Sequence, residues 1–186
     1  MTPLTALLLP ILVATLAVFV ASAVAHMVLP HHRNDYARLT NEDEVLEALR
    51  RGGVQRGEYG APFAGTPAEM SDPAYTERAT RGPVALVTVL PSGPPSMTRP
   101  LIFWFLLVLT TTVTSAYVAG RALPPAADYL EAFRFAGTTA FAAYVLGIVQ
   151  QSIWFGRPWG TTLRGGADGL AYALITAGIF GWLWPG

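Results

Sequence analysis

Residues 150–184 read QQSIWFGRPWGTTLRGGADGLAYALITAGIFGWLW, two apolar runs joined by a short polar hinge. The second run carries Gly165, Gly169, Ala173, Ala177 and Gly181, a small residue at every fourth position. Side chains four apart share one face of an α-helix, so the spacing predicts a helix with a groove along its length that a second backbone can enter. Close backbone approach is how helices associate in lipid, where no hydrophobic effect drives them together. The stretch therefore reads as the last hairpin of a membrane bundle. It carries packing information and no catalytic motif.

Composition points the same way. The chain has 186 residues, of which 52% are hydrophobic and 13% charged, with a mean hydropathy of +0.40. Soluble domains carry roughly 25% charged residues, so this is the composition of a membrane protein. All twelve basic residues are arginine and twelve acids balance them, which leaves no electrostatic case for a nucleic-acid partner. With no cysteine, disulfides, thiolate metal sites and Cys nucleophiles are excluded.

Working outward from the hairpin, Leu4 to Leu29 is free of charge. About 25 helical residues span roughly 38 Å, more than a hydrocarbon core of about 30 Å needs. Ala23-Val24-Ala25 resembles a signal cleavage site, but no basic residue precedes the apolar run, so it reads as a retained span. A second span covers about residues 100–123, with Trp104 and Tyr117 as interfacial anchors. It holds Thr110, Thr111, Thr112, Thr114 and Ser115, hydroxyls that bond back to their own helix or face protein. A third covers about 135–155 and a fourth about 163–184. The fold class expected is an all-α integral membrane protein, four transmembrane helices in a compact bundle.

One long polar connection separates helices 1 and 2. In residues 30–98, Asn41 with Glu44 reads as a capping box, Val45, Leu46 and Leu49 as a short stripe, and Gly52 as a stop. Asp72-Pro73 starts another short helix, and VALVTVL at Val84–Leu90 reads as extended. The segment has too few apolar residues for a core of its own and is expected to be membrane-associated. The organisation is thus a first helix over 1–29, the polar segment over 30–98, and a three-helix region over 99–186.

Arginines set the topology. Arg33, Arg38, Arg81 and Arg99 flank the long connection and Arg157 and Arg164 the last joint, against Arg121 and Arg134 at the second-to-third joint. The positive-inside rule then places the long connection in the cytoplasm and both termini in the periplasm of a bacterial inner membrane.

Three groups of residues bear chemistry. His26, His31 and His32, the only histidines, gather where the first span ends, and imidazoles suit a transition metal. Pro30 breaks the helix between them, so helical spacing alone does not bring them together; interfacial histidines are the plainer reading. Gln150, Gln151, Arg157, Arg164 and Asp168 ring the last joint and are ligand candidates, although an i,i+4 pair of Arg164 with Asp168 would equally lock the hairpin. Asp35, Glu42, Asp43, Glu44 and Glu47 read as the solvated start of a surface helix. Hydrolase, phosphate-loop and metalloprotease motifs are absent.

The strings MVLPHHRNDY and SIWFGRPWGTTLRGGADGLAYALITAGIFGWLWP resemble small four-span integral membrane proteins of bacteria, a family with no activity attached to it. The resemblance implies the architecture and supplies no catalytic residue or ligand. On these grounds the expected function is non-enzymatic: an accessory or structural protein that assembles with itself or with other membrane subunits through small-residue helix faces. A solute transporter or channel with a polar site at the last joint comes second, and a metal-handling protein using the three histidines third. No cofactor is expected beyond that transition metal.

Overall fold

The computed structural model describes residues 1–186. A 3-10 turn over Leu4–Leu7 leads into α1 (Leu8–Met27), and a second one over Pro30–His32 follows it. Next come α2 (Glu42–Arg51), β1 (Gly57–Ala61), α3 (Pro67–Met70), α4 (Pro73–Arg81) and β2 (Ala85–Val89). The remainder is helical: α5 (Thr98–Ala122), α6 (Tyr129–Phe141), a π turn (Ala142–Leu146), α7 (Gly147–Phe155) and α8 (Trp159–Trp182).

The chain divides into two compact units, residues 37–95 and the rest. The smaller is an antiparallel hairpin, Gly57 opposite Val89 through Ala61 opposite Ala85, with short helices around it. Asp72 caps α4 by accepting from the Ala74 N–H at 2.7 Å, which is why the helix starts at Pro73. No side chain in 37–95 is buried.

The larger unit is an up-down-up-down helix bundle. α1 packs on α5 and α8, and α6 on α5 and α8, so each rod touches two neighbours. Each rod turns a narrow stripe inward: Leu7, Ile11, Ala14, Val18, Ser22 and Ala25 along α1 and its lead-in, and Ala132, Ala136 and Ala140 along α6. Spacings of three and four keep these residues on one face. Bulky apolar residues such as Leu8, Leu12, Leu16 and Val20 lie on the outside, the reverse of a water-soluble bundle.

The α6–α8 contact is the closest. A Cβ on Gly137 would lie 2.7 Å from the Ala177 Cβ, and one on Gly181 would run into the Tyr129 ring at the same distance. The stripe Gly169, Ala173, Ala177 and Gly181 is buried here, while Gly165 is half-buried beside Ile148. The α8 groove is thus filled by the chain's own α6.

Three helices are long and apolar enough to cross a membrane: Leu4–Met27, Thr98–Ala122 and the continuous rod Tyr129–Phe155. That third rod begins six residues before the expected start, because Asp128 and Glu131 form a capping box there. α8 matches the others in length at 24 residues and starts directly after Pro158, but its six glycines, Arg164 and Asp168 lower its apolarity. Asn41 precedes α2 without donating or accepting a cap to the backbone; its amide bonds Glu44 Oε2 at 3.2 Å instead.

Candidate metal centre

The site is built where α1 ends. Leu29 is extended ahead of Pro30, as the residue before a proline prefers, and the 3-10 turn that follows folds His31 and His32 back towards the end of α1. The His26 and His32 rings stack at 4.5 Å between centroids, and His31 lies 4.2 Å from His32. Sequence spacing left these residues apart; the proline that breaks the helix is what gathers them.

From the other side α8 supplies Asp168. Its Oδ1 lies 3.0 Å from His31 Nε2 and its Oδ2 2.5 Å from His32 Nε2. The opposite nitrogen of His32, Nδ1, meets Asp35 Oδ2 at 2.6 Å. Asp35 in turn accepts from Arg164, through Nε at 2.8 Å and through Nη2, and Nη2 also donates to Thr161 Oγ1 at 3.2 Å. Arg164 and Asp168 therefore do not pair with each other. One helical turn apart on α8, they reach different partners after α1: Arg164 meets Asp35, and Asp168 meets His31 and His32.

His26 is held differently. Its Nδ1 lies 3.1 Å from the Ser22 carbonyl oxygen, which can only accept, so Nδ1 is the donor and Nε2 is the nitrogen left facing away from the helix backbone as the candidate ligand atom. Ser22 is itself fixed, its hydroxyl donating to Phe19 O at 2.7 Å and accepting from Trp104 Nε1 at 2.8 Å.

Electrostatics follow the contacts. The hydrogen bond to Asp168 raises the His32 pKa above its ordinary 6.5; burial pulls the other way, and Asp35 adds to the rise. For Asp35 burial pushes the carboxyl up, but hydrogen bonds from His32 and Arg164 outweigh it and hold the pKa below 3.8. The side chains of Asp35 and Asp168 are 9% and 13% exposed, so these are largely enclosed charges that need such partners.

Ligand atoms of His26, His32 and Asp168 all lie within 4.8 Å of one another, and His31 approaches the same carboxylate. Bonds of about 2.0–2.2 Å to a tetrahedral zinc ion place donors roughly 3.3–3.6 Å apart. An ion here would part His32 from Asp168 by about an ångström and draw His26 in. The supporting contacts suit this: Asp35 orients His32 through its outer nitrogen, as carboxylates do behind metal-bound imidazoles, and a backbone carbonyl does the same for His26.

Of the residues singled out at the last joint, the structure brings Arg164 and Asp168 to the histidines. Gln150 and Gln151 are exposed on α7, and Arg157 sits in the joint with its N–H bonded to Gln151 O at 3.1 Å. Asp35 is the residue that the sequence reading assigned elsewhere, to the acidic start of α2. Its signal was the local run His32-Arg33-Asn34-Asp35, in which a carboxylate three residues after an imidazole returns to it across one turn. No family model matches the chain, and neither a curated protein nor a solved structure matches it.

Proposed function

We propose that this is a metal-binding protein of the membrane, with α8 as a fourth span and a divalent transition metal of the zinc class held by His26, His31, His32 and Asp168. The observation that carries the reading is that His31 and His32 both meet one carboxylate of another helix and that a ligand atom of His26 lies within 4.8 Å of it, with His26 and His32 each already oriented through Nδ1. Mixed imidazole and carboxylate donors without thiolate favour zinc, iron or copper over calcium or magnesium. The assembly reading loses its main support, since the α8 small-residue face is filled by α6. The transporter reading keeps Arg164 and Asp168 but not the two glutamines.

Elemental analysis of protein purified without chelator tests this. About one metal ion per chain is expected, lost when His32 and Asp168 are replaced together by Gln and Asn, because two remaining imidazoles hold an ion weakly. Metal-free protein that also fails to take up zinc, iron or copper on titration would sink the reading.

The proposed orientation has this end of the bundle in the cytoplasm of a bacterial inner membrane and the termini in the periplasm, a reading supported by the arginine distribution. A cysteine at Gly156, introduced into a chain that has none, should resist membrane-impermeant thiol reagents in intact cells, and one at Gly186 should react. Reversed labelling would place the metal centre outside.

A further inference from the structure

On the outer side of the seam between α6 and α8 runs a cleft of about 250 Å³. Its floor is Gly137, Ala173 and Ala177, where the two helices come closest, and its sides include Phe133, Phe141 and Leu174. Arg134 lines the end nearer the start of α6, and no carboxylate lines the cleft.

Depth gives that arginine its meaning. The rod Tyr129–Phe155 has 27 residues, about 40 Å of helix against a hydrocarbon core of about 30 Å, so roughly 5 Å projects at each end. Arg134, five residues past Tyr129, stands about 7.5 Å along the rod, just inside the level where the apolar core meets the headgroups. A cation there is costly unless an anion meets it. The chain supplies none. Asp128 and Glu131 are occupied by each other's backbone in the capping box, and Asp168, the only other acid in the rods, is bound to His31 and His32 at the far end. Arg134 is exposed and pairs with none of them. A second copy does no better, because a two-fold axis along the membrane normal brings this cleft onto itself and sets Arg134 against Arg134 at equal depth.

We propose that the cleft binds an anionic glycerophospholipid, with its phosphate on the Arg134 guanidinium and an acyl chain over Gly137, Ala173 and Ala177. Guanidinium and phosphate pair through two parallel N–H···O bonds, and basic pockets between membrane helices hold anionic headgroups. The apolar floor and sides receive a chain that water-soluble anions lack. Since no carboxylate lines the cleft, a headgroup amine finds no partner, and a lipid of net negative charge binds better than a zwitterionic one. The proposal rests on the bundle lying in a bilayer and takes nothing from the metal.

The test uses full-length protein, stripped of lipid in neutral detergent with chelator present, so that its outcome is separate from that of the metal reading. Phosphatidylglycerol, phosphatidylcholine or inorganic phosphate is added, and bound molecules are counted by native mass spectrometry. About one phosphatidylglycerol per chain is expected, in preference to phosphatidylcholine and to phosphate alone. Arg134→Gln should weaken that complex about 10–100-fold, the range for one hydrogen bond to a charged group, and erase the preference between the two lipids. Thr138→Trp, which places a ring in the cleft from its exposed edge and keeps the guanidinium, should weaken it too.

Equal binding of the two lipids, binding of phosphate alone as strongly as of lipid, or a complex indifferent to either folded variant overturns the proposal. So does a dimer of the lipid-free protein that Thr138→Trp dissolves, which would give the cleft to a second copy. If neither variant folds, the wild-type comparison of the two lipids decides.

Discussion

At the end of the bundle where α1 begins, the helices are tied through backbone carbonyls. The Thr2 N–H donates to Gly120 O at 2.7 Å, the Ala126 N–H to Pro185 O at 2.7 Å, and Trp184 Nε1 to Pro124 O at 3.1 Å. At the end where α1 finishes, the ties are side chains: three histidines, two aspartates and an arginine. None of these ties involves a titratable group. The side-chain ties depend on six particular residues and on their protons. The layers beneath differ as well: Leu7, Ile11, Ala116, Ala136 and Phe180 under the first, and Val18, Val108, Ala140, Ala173 and the rings of Tyr144 and Tyr172 under the second.

The sharpest way to break this contrast is to hollow the apolar end. Phe180 is fully buried, and Phe180→Ala leaves a cavity that its neighbours only partly fill. A loss of about 3–5 kcal/mol is expected in reversible denaturation from mixed micelles, with metal uptake at the far end unchanged. Equal loss of metal binding would mean that the two ends form one cooperative unit, not a support and a site.

A smaller loss is expected at the other end. Asp35→Asn removes the carboxylate that receives both His32 and Arg164, leaving a half-enclosed guanidinium without its partner. In metal-free protein this should cost about 1–3 kcal/mol, the range for hydrogen bonds to charged groups, tempered by the 34% exposure of Arg164. Metal affinity should fall about 10–100-fold as His32 loses its orienting partner. Unchanged affinity would show that Asp35 serves the fold alone.

The helices were legible because their apolar runs are long and uninterrupted, and Leu4–Leu29 and the α5 run have no competing signal. The start of α6 was hidden since residues 129–134 carry Glu131 and Arg134 and look like a joint, while their helix is fixed by the Asp128 capping box. β1 was missed because Gly57-Glu58-Tyr59-Gly60-Ala61 shows no alternation; it exists by pairing with β2. The small-residue stripe of α8 was visible as a spacing, but a stripe does not name its partner: Gly169, Ala173, Ala177 and Gly181 are buried, and α6 of the same chain lies against Ala177 and Gly181. The site was half legible. Residue types marked the histidines, Arg164 and Asp168, but the contact between residues 32 and 168 depends on the bundle returning α8 to the end of α1, which no local pattern encodes.

The finest test of the contrast is pH, which should move one end only. In metal-free protein His32 lies between Asp35 and Asp168, with Arg164, His26 and His31 the other charged or titratable groups around it. Its pKa in the folded chain is above 6.5, so its ion pairs contribute fully below 6.5 and are lost as pH rises through that higher value. Asp35 acts in the opposite sense: its folded pKa is below 3.8, so its contribution is present above 3.8 and is lost as pH falls through the depressed value. Between the two the ion pairs of Asp35 and His32 are intact. The melting temperature of chelator-treated protein should therefore decline as pH rises above about 6.5, by less than either substitution above, and His32→Gln should flatten the decline. Zinc should flatten it too, because an ion takes the place of the proton between His32 and Asp168. A slope that survives His32→Gln would assign the titration to another group and leave the end near α1's finish as pH-insensitive as the backbone-tied end.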